Sequence, residues 1–382
     1  VFTRNTSENH LHIVAFDVPF PPNYGGVIDV YYKIRALHRK GIKLHLHIIE
    51  YPGRNRAPEL ENYCQEIFYY PRKTGIRSAF SHTPYIVKSR QSEQMLRRLL
   101  RDDYPILFEG LHSCYYIDDP RLSGRRLIYR ESNIEHRYYY HLFKAEHRPG
   151  KKAYFLVESL KLWIFQKHLK HATSMLGVSI EDTAYLQKHF GNDEVHYLPS
   201  FHANEVVETS AGTGDYALYH GNIEVPENEA AAGYLIKKVF AGSGHKLIIA
   251  GMNPPKRIVQ MAARYPNIEI KSNPGDEEMF ALIRNAQVNV LVTFQATGLK
   301  LKLLNTLYNG RHCLVNDAML SGTGLDTLCE TGNSPAELRQ QLDILMKKPF
   351  TASDAASRTT ILAANYSNDV NADRMIRIIF GA

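Results

Sequence analysis

The sequence predicts an α/β chain of two similar domains, each a parallel sheet with helices on both faces. Three observations carry this reading. At 382 residues the chain exceeds what a single core usually holds, so two domains are the default. Short apolar runs of strand length alternate with helical patterns along nearly the whole chain. The alternation restarts after a polar stretch, residues 202–215, that contains Ser210, Gly212 and Gly214. The expected division is a first domain over residues 1–201, a linker over 202–215 and a second domain over 216–368, with helix 369–382 available to complete the first domain. Two such domains facing each other would form a cleft, the usual place for a small-molecule site.

In the first domain the opening strand, residues 11–17, runs into PFPPNYGG and then a helical repeat of Val27, Val30, Tyr31, Ile34 and Leu37. Gly25 and Gly26 therefore fall where main-chain N–H groups meet the carboxyl edge of a sheet. A bound anion and a plain tight turn both account for them. Further strands are expected at residues 43–50, 66–70, 105–109, 126–129, 173–179 and 195–199. Two polar clusters, Gly110-Leu111-His112 and RESNIEH at 130–136, follow strand ends, where open α/β sheets place their chemistry. Residues 151–171 have the length of a long helix, and the lone tryptophan, Trp163, is expected in core or domain-interface packing.

The second domain repeats the order, with strands at 216–220, 246–250, 268–271 and 288–294 and helices at 227–240, 255–265 and 276–285. A Thr297-Gly298 turn then opens a helix marked by Leu299, Leu303 and Leu307 and ended by Asn309-Gly310. Lys300 and Lys302 fall in its first turn, where the macrodipole disfavours cations. Either an anion bound there resolves the conflict or the lysines are solvated on a surface helix.

Composition narrows the classes. Hydrophobic content of 44% and charged content of 22% describe an ordinary globular chain. The net charge of +7 is uneven: residues 72–101 hold eight basic residues against the single acid Glu93, with Phe80 and Tyr85 interleaved. That segment suits an anionic membrane or lipid diphosphate, or is a solvated basic face. The four cysteines form no CxxC pair, so no metal site is expected and a reducing cytoplasm fits. No run reaches about 18 apolar residues and no signal-peptide pattern opens the sequence, so membrane contact is expected to be peripheral, on the inner face of the cell membrane. No nucleic-acid-binding motif accompanies the basic segment, and no such partner is expected.

The Gly25-Gly26 loop after the first strand, together with Thr297-Gly298-Leu299-Lys300-Leu301-Lys302-Leu303-Leu304-Asn305, resembles the family 4 glycosyltransferases, over nearly the whole chain. Segments 22–26, 220–228, 247–251 and 297–315 match best, and RESNIEHRYYY at 130–140 is similar to bacterial members that build surface polysaccharides. The resemblance implies two Rossmann-like domains in the GT-B arrangement. It implies transfer of a sugar from a nucleotide-diphosphate sugar to a glycan or lipid-linked acceptor, with retention and without a metal or other cofactor. Gly25, Gly26, Gly221, Asn222, Asn228, Gly251, Thr297, Gly298, Leu299, Lys300, Lys302 and Asn305 are the donor positions it implies. The family's usual arginine and lysine fall at Asn222 and Asn228, and its two glutamates at Thr297 and Asn305, so Lys300 and Lys302 are expected to supply the charge that holds the diphosphate. His112, His136 and Glu135 are the catalytic candidates by location, with Glu131, Asn133 and Glu135 available to acceptor hydroxyls. Ser132 stands where relatives often carry histidine. A nucleotide-sugar epimerase and a non-catalytic sugar-nucleotide or glycan-binding subunit are the alternatives.

Overall fold

The computed structural model describes residues 8–51, 53–75, 81–191, 193–294 and 300–381. The chain divides into two compact units, one of Val1–Ala203 with Tyr366–Ala382 and one of Asn204–Asn365.

The first unit is a seven-stranded sheet of β1 (His10–Ala15), β2 (Lys43–Glu50), β3 (Glu66–Pro71), β4 (Ile106–Glu109), β5 (Leu127–Arg130), β6 (Ser174–Gly177) and β7 (Val195–Tyr197). Its order is β3-β2-β1-β4-β5-β6-β7, and all neighbours run parallel. The inner strands β1, β4, β5 and β6 are buried on both faces, which is why they read as apolar runs. On one face Leu11, Ile13 and Ala15 pack with Ile34 and Leu37 of α1 (Gly25–Arg39). On the other, Val14, Phe108 and Tyr129 meet Met95, Leu96 and Leu99 of α2 (Glu93–Leu99). The helices α3 (Glu135–Ala145), α4 (Pro149–Phe165) and α5 (Ile180–Phe190) follow.

The second unit is a six-stranded parallel sheet of β8 (Tyr216–Asn222), β9 (Lys246–Met252), β10 (Ile268–Ser272), β11 (Val288–Leu291), β12 (His312–Val315) and β13 (Glu330–Thr331), in the order β10-β9-β8-β11-β12-β13. Its helices include α6 (Pro226–Tyr234), α7 (Lys256–Ala262), α8 (Asp276–Asn285), α9 (Leu301–Asn309), α10 (Pro335–Leu345) and α11 (Ala352–Tyr366). The last helix, α12 (Asn368–Phe380), belongs to the first unit, where Ala372, Met375 and Ile379 join the core that α1 covers.

In each sheet the chain winds outward in two directions from a central pair, β1 beside β4 and β8 beside β11. The carboxyl ends of such a pair open a crevice between diverging connections, which is where doubly wound sheets bind ligands.

Three expectations change. The stretch 202–215, read as a linker, is bonded into the units. His202 N–H donates to Asn368 Oδ1 at 3.2 Å, whereas Gly214 N–H donates to Gln287 Oε1 at 2.7 Å and Gly212 bridges Phe350. Its polar, glycine-rich composition looks the same whether its backbone bonds to protein or to water. The basic segment 72–101 is not a uniform cationic face. Arg90 is buried, Arg98 lies 4.1 Å over the Phe68 ring, and Arg72 lies 4.4 Å over Tyr51. Lys73, Arg97 and Arg101 are exposed, and residues 76–80 lie outside the described residues. Trp163, expected in packing, is 50% exposed. No helix among the described residues is long and apolar enough to cross a membrane.

Two buried polar networks brace the first sheet. Lys33 Nζ donates to Asp29 Oδ2 at 2.9 Å and to Glu109 Oε1 at 2.7 Å, and Arg130 spans Asp29 at 3.3 Å while reaching the Leu198 and Pro199 carbonyls. Burial would raise the Asp29 carboxyl, but Arg130 and Lys33 override it and hold it low. Toward the amino ends of β1 and β2 runs a ladder of histidines. His12 Nδ1 lies 2.9 Å from His47 Nε2, His12 Nε2 lies 2.9 Å from Asp102 Oδ1, and His47 Nδ1 lies 2.8 Å from the Tyr70 hydroxyl.

Candidate functional site

In the first unit the candidate residues gather at the carboxyl ends of β1 and β4. β1 passes into Phe16 and Asp17, and the loop that follows is pinned. Asp17 accepts from the Val18 N–H at 2.8 Å and the Tyr24 hydroxyl at 2.7 Å, and Arg54 donates to Asn23 Oδ1 at 2.8 Å and the Pro21 carbonyl at 2.7 Å. A Cβ on Gly26 would lie 2.7 Å from Phe16 Cζ, so glycine lets the start of α1 press onto the strand end. α1 begins with neither a side-chain cap nor an acid in its first turn, which keeps its positive dipole end uncompensated.

β4 passes into Gly110, at φ +68, and a Cβ there would meet His112 Nδ1 at 3.0 Å and Ser132 Oγ at 3.1 Å. Only glycine suits both the backbone angle and that close packing. The His112 ring is 5.3 Å from Phe16, and its Nε2 is 3.8 Å from Glu135 Oε1 at the first turn of α3. Arg90 stands behind them, held by the Phe16 carbonyl at 3.0 Å and the Ile86 carbonyl at 2.6 Å.

Burial, then Arg90 and Arg72, push the His112 imidazole well below its ordinary value. Burial lifts the Glu135 carboxyl to about 8, although Arg90 opposes the rise. At neutral pH the pair is therefore a neutral imidazole beside a mostly protonated carboxyl. Among the described residues, His112 Nδ1 and Glu135 Oε1 are buried without a hydrogen-bond partner. A histidine acceptor next to a carboxyl donor is suited to holding a hydroxyl between them, one group accepting its hydrogen bond and the other donating to its oxygen.

The other first-unit candidates lie apart from this pair. The His136 ring faces Tyr185 of α5 at 5.9 Å, and burial, Arg137 and His189 lower it to about 4. Glu131 is fully buried beside β6, its N–H donating to the Leu176 carbonyl at 2.9 Å, and burial and Asp182 push its carboxyl far up. Its two carboxyl oxygens, like Glu135 Oε1, have no hydrogen-bond partner among the described residues. Asn133 is half-buried on the turn before α3. Arg90 is the residue the sequence did not single out. It sits in a run of cations, and only the fold shows that it points inward.

In the second unit the residues gather at the carboxyl ends of β8 and β11. A Cβ on Gly251 would lie 1.7 Å from the Gly221 carbonyl oxygen, so two strand ends touch backbone to backbone. The Asn228 amide donates to the Asn222 carbonyl at 2.8 Å, and Lys302 Nζ, reaching back from α9, donates to Asn228 Oδ1 at 2.8 Å. The ammonium also lies 5.5 Å over the Tyr219 ring. Burial lowers Lys302 to about 8, with Glu227 opposing and Lys300 adding to the fall. Beneath it, His220 Nε2 lies 3.0 Å from Thr306 Oγ1, and burial and Lys302 drop that imidazole to about 3.

Glu227, in the first turn of α6, accepts from the Thr293 hydroxyl and so ties α6 to the end of β11. Sequence reading passed over both, because an acid in a helix's first turn is ordinary dipole matching. Lys300 immediately precedes α9, whose first turn holds no acid. Asn305 Oδ1 accepts from Asn204 Nδ2 at 2.9 Å, and Asn309 Nδ2 donates to Asn204 Oδ1 at 2.8 Å. Thr297, Gly298 and Leu299 lie outside the described residues.

Comparison with known proteins places this architecture. TarM superposes with a TM-score of 0.67 at 9% identity, covering 98% of this chain and 99% of that one. The UDP-forming α,α-trehalose-phosphate synthase of Burkholderia vietnamiensis gives 0.62 at 11%, covering 98% and 100%. Anabaena HepE, solved with UDP and glucose, gives 0.63 at 10%, covering 97% and 99%. The chain has the GT-B fold. That agrees with the two parallel-sheet domains read from the sequence and with the fold its resemblance implied. No protein-family model matches this GT-B chain. An uncharacterized 44.6 kDa protein in the cps region of Klebsiella pneumoniae is 24% identical over 330 residues, covering 82% of this chain and 84% of the relative.

Proposed function

We propose that this GT-B chain is a glycosyltransferase of the family 4 type. It moves a sugar from a nucleotide-diphosphate sugar to a glycan or lipid-linked acceptor in surface-polysaccharide assembly, with retention and without a metal. It works in the cytoplasm, peripherally on the inner face of the cell membrane. One observation carries the donor side of this reading: Lys302 Nζ sits 2.8 Å from Asn228 Oδ1. Asparagine at 222 and 228 removes two cations from the loop after β8, and a lysine from α9 brings one back to the same spot. Held by a neutral amide, this ammonium gains most when a diphosphate arrives, and it then offsets the charge that develops on the leaving group. The cps-region relative and the UDP and glucose bound to HepE support the substrate class. On the acceptor side, His112 and Glu135 bind the hydroxyl and handle its proton.

The test is calorimetric titration of the full chain with UDP and other nucleoside diphosphates in the presence of a chelator. Binding is expected without metal, weakened by Lys302→Ala. Undiminished affinity in that variant would remove the proposed diphosphate site. A second reading, a non-catalytic sugar-nucleotide-binding subunit, is favoured by Asn305, whose side-chain oxygen is engaged by Asn204. Binding without turnover across a panel of donors and acceptors would select it.

A further inference from the structure

Helix α4 carries an apolar face turned to solvent. Tyr154 is 39% exposed, Val157 49%, Leu160 55%, Trp163 50% and Ile164 57%, whereas Glu158, Ser159, Leu162 and Phe165 are buried on the opposite side. The exposed positions recur every three or four residues, so they form one stripe. Neighbouring α3 adds Tyr138 and Tyr140, each 41% exposed. A stripe of large side chains along a helix differs from scattered surface apolars, and it marks a place that meets something.

The charges around the stripe say what. Residues 137–171 contain eight lysines and arginines and only two acids, Glu146 and Glu158. Glu158 is buried, accepting from the Tyr85 N–H at 2.6 Å and from Lys161 at 3.0 Å, and Glu146 is turned onto the N–H groups of His147 and Arg148 at 2.9 Å. Lysines border the aromatic rings: Lys144 Nζ lies 4.7 Å over Tyr140, Lys152 5.2 Å over Phe143 and Lys167 5.3 Å over Trp163. An apolar stripe edged by aromatic rings and lysines matches the boundary between lipid chains and anionic headgroups. A second copy of the chain would bring like charges together over the same patch.

We propose that the α3–α4 hairpin docks the protein on an anionic lipid surface, α4 entering the headgroup–chain boundary and the flanking lysines facing lipid phosphates. The inference rests on this face alone and not on the transferase reading, so its test reads binding and not turnover.

The single tryptophan makes the test direct. The full chain is titrated with vesicles of phosphatidylcholine containing phosphatidylglycerol, with phosphatidylcholine vesicles and with inorganic phosphate, following Trp163 emission and co-sedimentation. Only the anionic vesicles are expected to blue-shift the emission and pellet the protein, with binding that falls as salt rises. Leu160→Glu combined with Ile164→Glu is expected to weaken binding by at least about tenfold. Lys151→Glu with Lys152→Glu is the second variant, expected to do the same through charge alone. Because all of these positions are at the surface, unchanged thermal unfolding checks that each variant is folded. Wild-type protein that ignores anionic vesicles, or variants that bind as well as wild type, would overturn the proposal. An equal response to inorganic phosphate would overturn the lipid assignment. So would concentration-dependent dimerisation that the Leu160 and Ile164 substitutions abolish.

Discussion

His112 Nε2 lies 3.8 Å from Glu135 Oε1, too far for a hydrogen bond and near enough for both to touch one hydroxyl. Arg90, the burial of both groups and the turn at Gly110 hold this relationship. Burial keeps the carboxyl protonated at a pH where water would ionise it, and keeps the imidazole neutral at pH values where water would charge it.

Glu135→Gln is expected to stabilise the protein while impairing transfer. A carboxyl raised to about 8 when folded, from 4.5 when unfolded, keeps its full contribution below 4.5 and loses it as pH rises toward 8. Glutamine removes that loss, so denaturant unfolding at pH 7 should show a gain of about 3 kcal/mol, absent at pH 4. Transfer should drop by at least about tenfold, since a proton carrier is gone. No gain at pH 7 would mean that Glu135 is ionised in the folded protein.

The histidine ladder predicts acid sensitivity. Burial holds His12 at about 4, with Asp102 opposing, and keeps His47 well below its ordinary value. These depressed bases leave stability intact above the unfolded value of 6.5 and drain it as pH falls toward 4, His12 alone by roughly 3 kcal/mol. Urea midpoints at pH 7.5 and 4.5 measure the slope. His12→Phe should flatten it, Arg125 still pairing Asp102 at 2.8 Å, and an unchanged slope would place the acid-labile groups elsewhere.

Lys302→Ala should weaken nucleoside-diphosphate binding by roughly ten- to a hundredfold, the range of a lost charge-assisted hydrogen bond. Because burial holds the ammonium near 8, wild-type affinity should fall as pH rises through that value, and the variant should show no such fall. Calorimetric titration from pH 7 to 9 reads both.

Lys33→Met leaves Asp29 and Glu109 facing each other without their shared ammonium. Breaking a buried pair of this kind costs about 3–5 kcal/mol, so the variant should unfold at a much lower denaturant midpoint. Loss below about 1 kcal/mol would show that water or a proton replaces the lysine without penalty.

The sequence made the sheets legible because parallel strands buried on both faces leave continuous apolar runs. The run at 43–50 is β2 to the residue. Strand ends were less clear: the run at 288–294 stops as a strand at Leu291, because apolarity continues beyond the ladder into the turn. Gly110, in the turn after β4, and Gly251, near the end of β9, both fall at the carboxyl edge of their sheets. Direction was invisible. Nothing in a one-dimensional pattern tells that Arg90 points inward while Trp163 points outward, or that Asn305 turns toward Asn204. Those outcomes depend on contacts between residues distant in sequence.

The placement of α12 has a consequence for how the protein is made. The second unit is an unbroken segment, so it is synthesised whole and is free to fold as it emerges. The first unit is not. Its core is missing Ala372, Met375 and Ile379 until after the second unit has been translated, so α1 and its sheet wait on the ribosome with an apolar face open. A fragment ending at residue 203 would carry the same wound permanently, whereas the same fragment supplied with residues 366–382 as a peptide should close it.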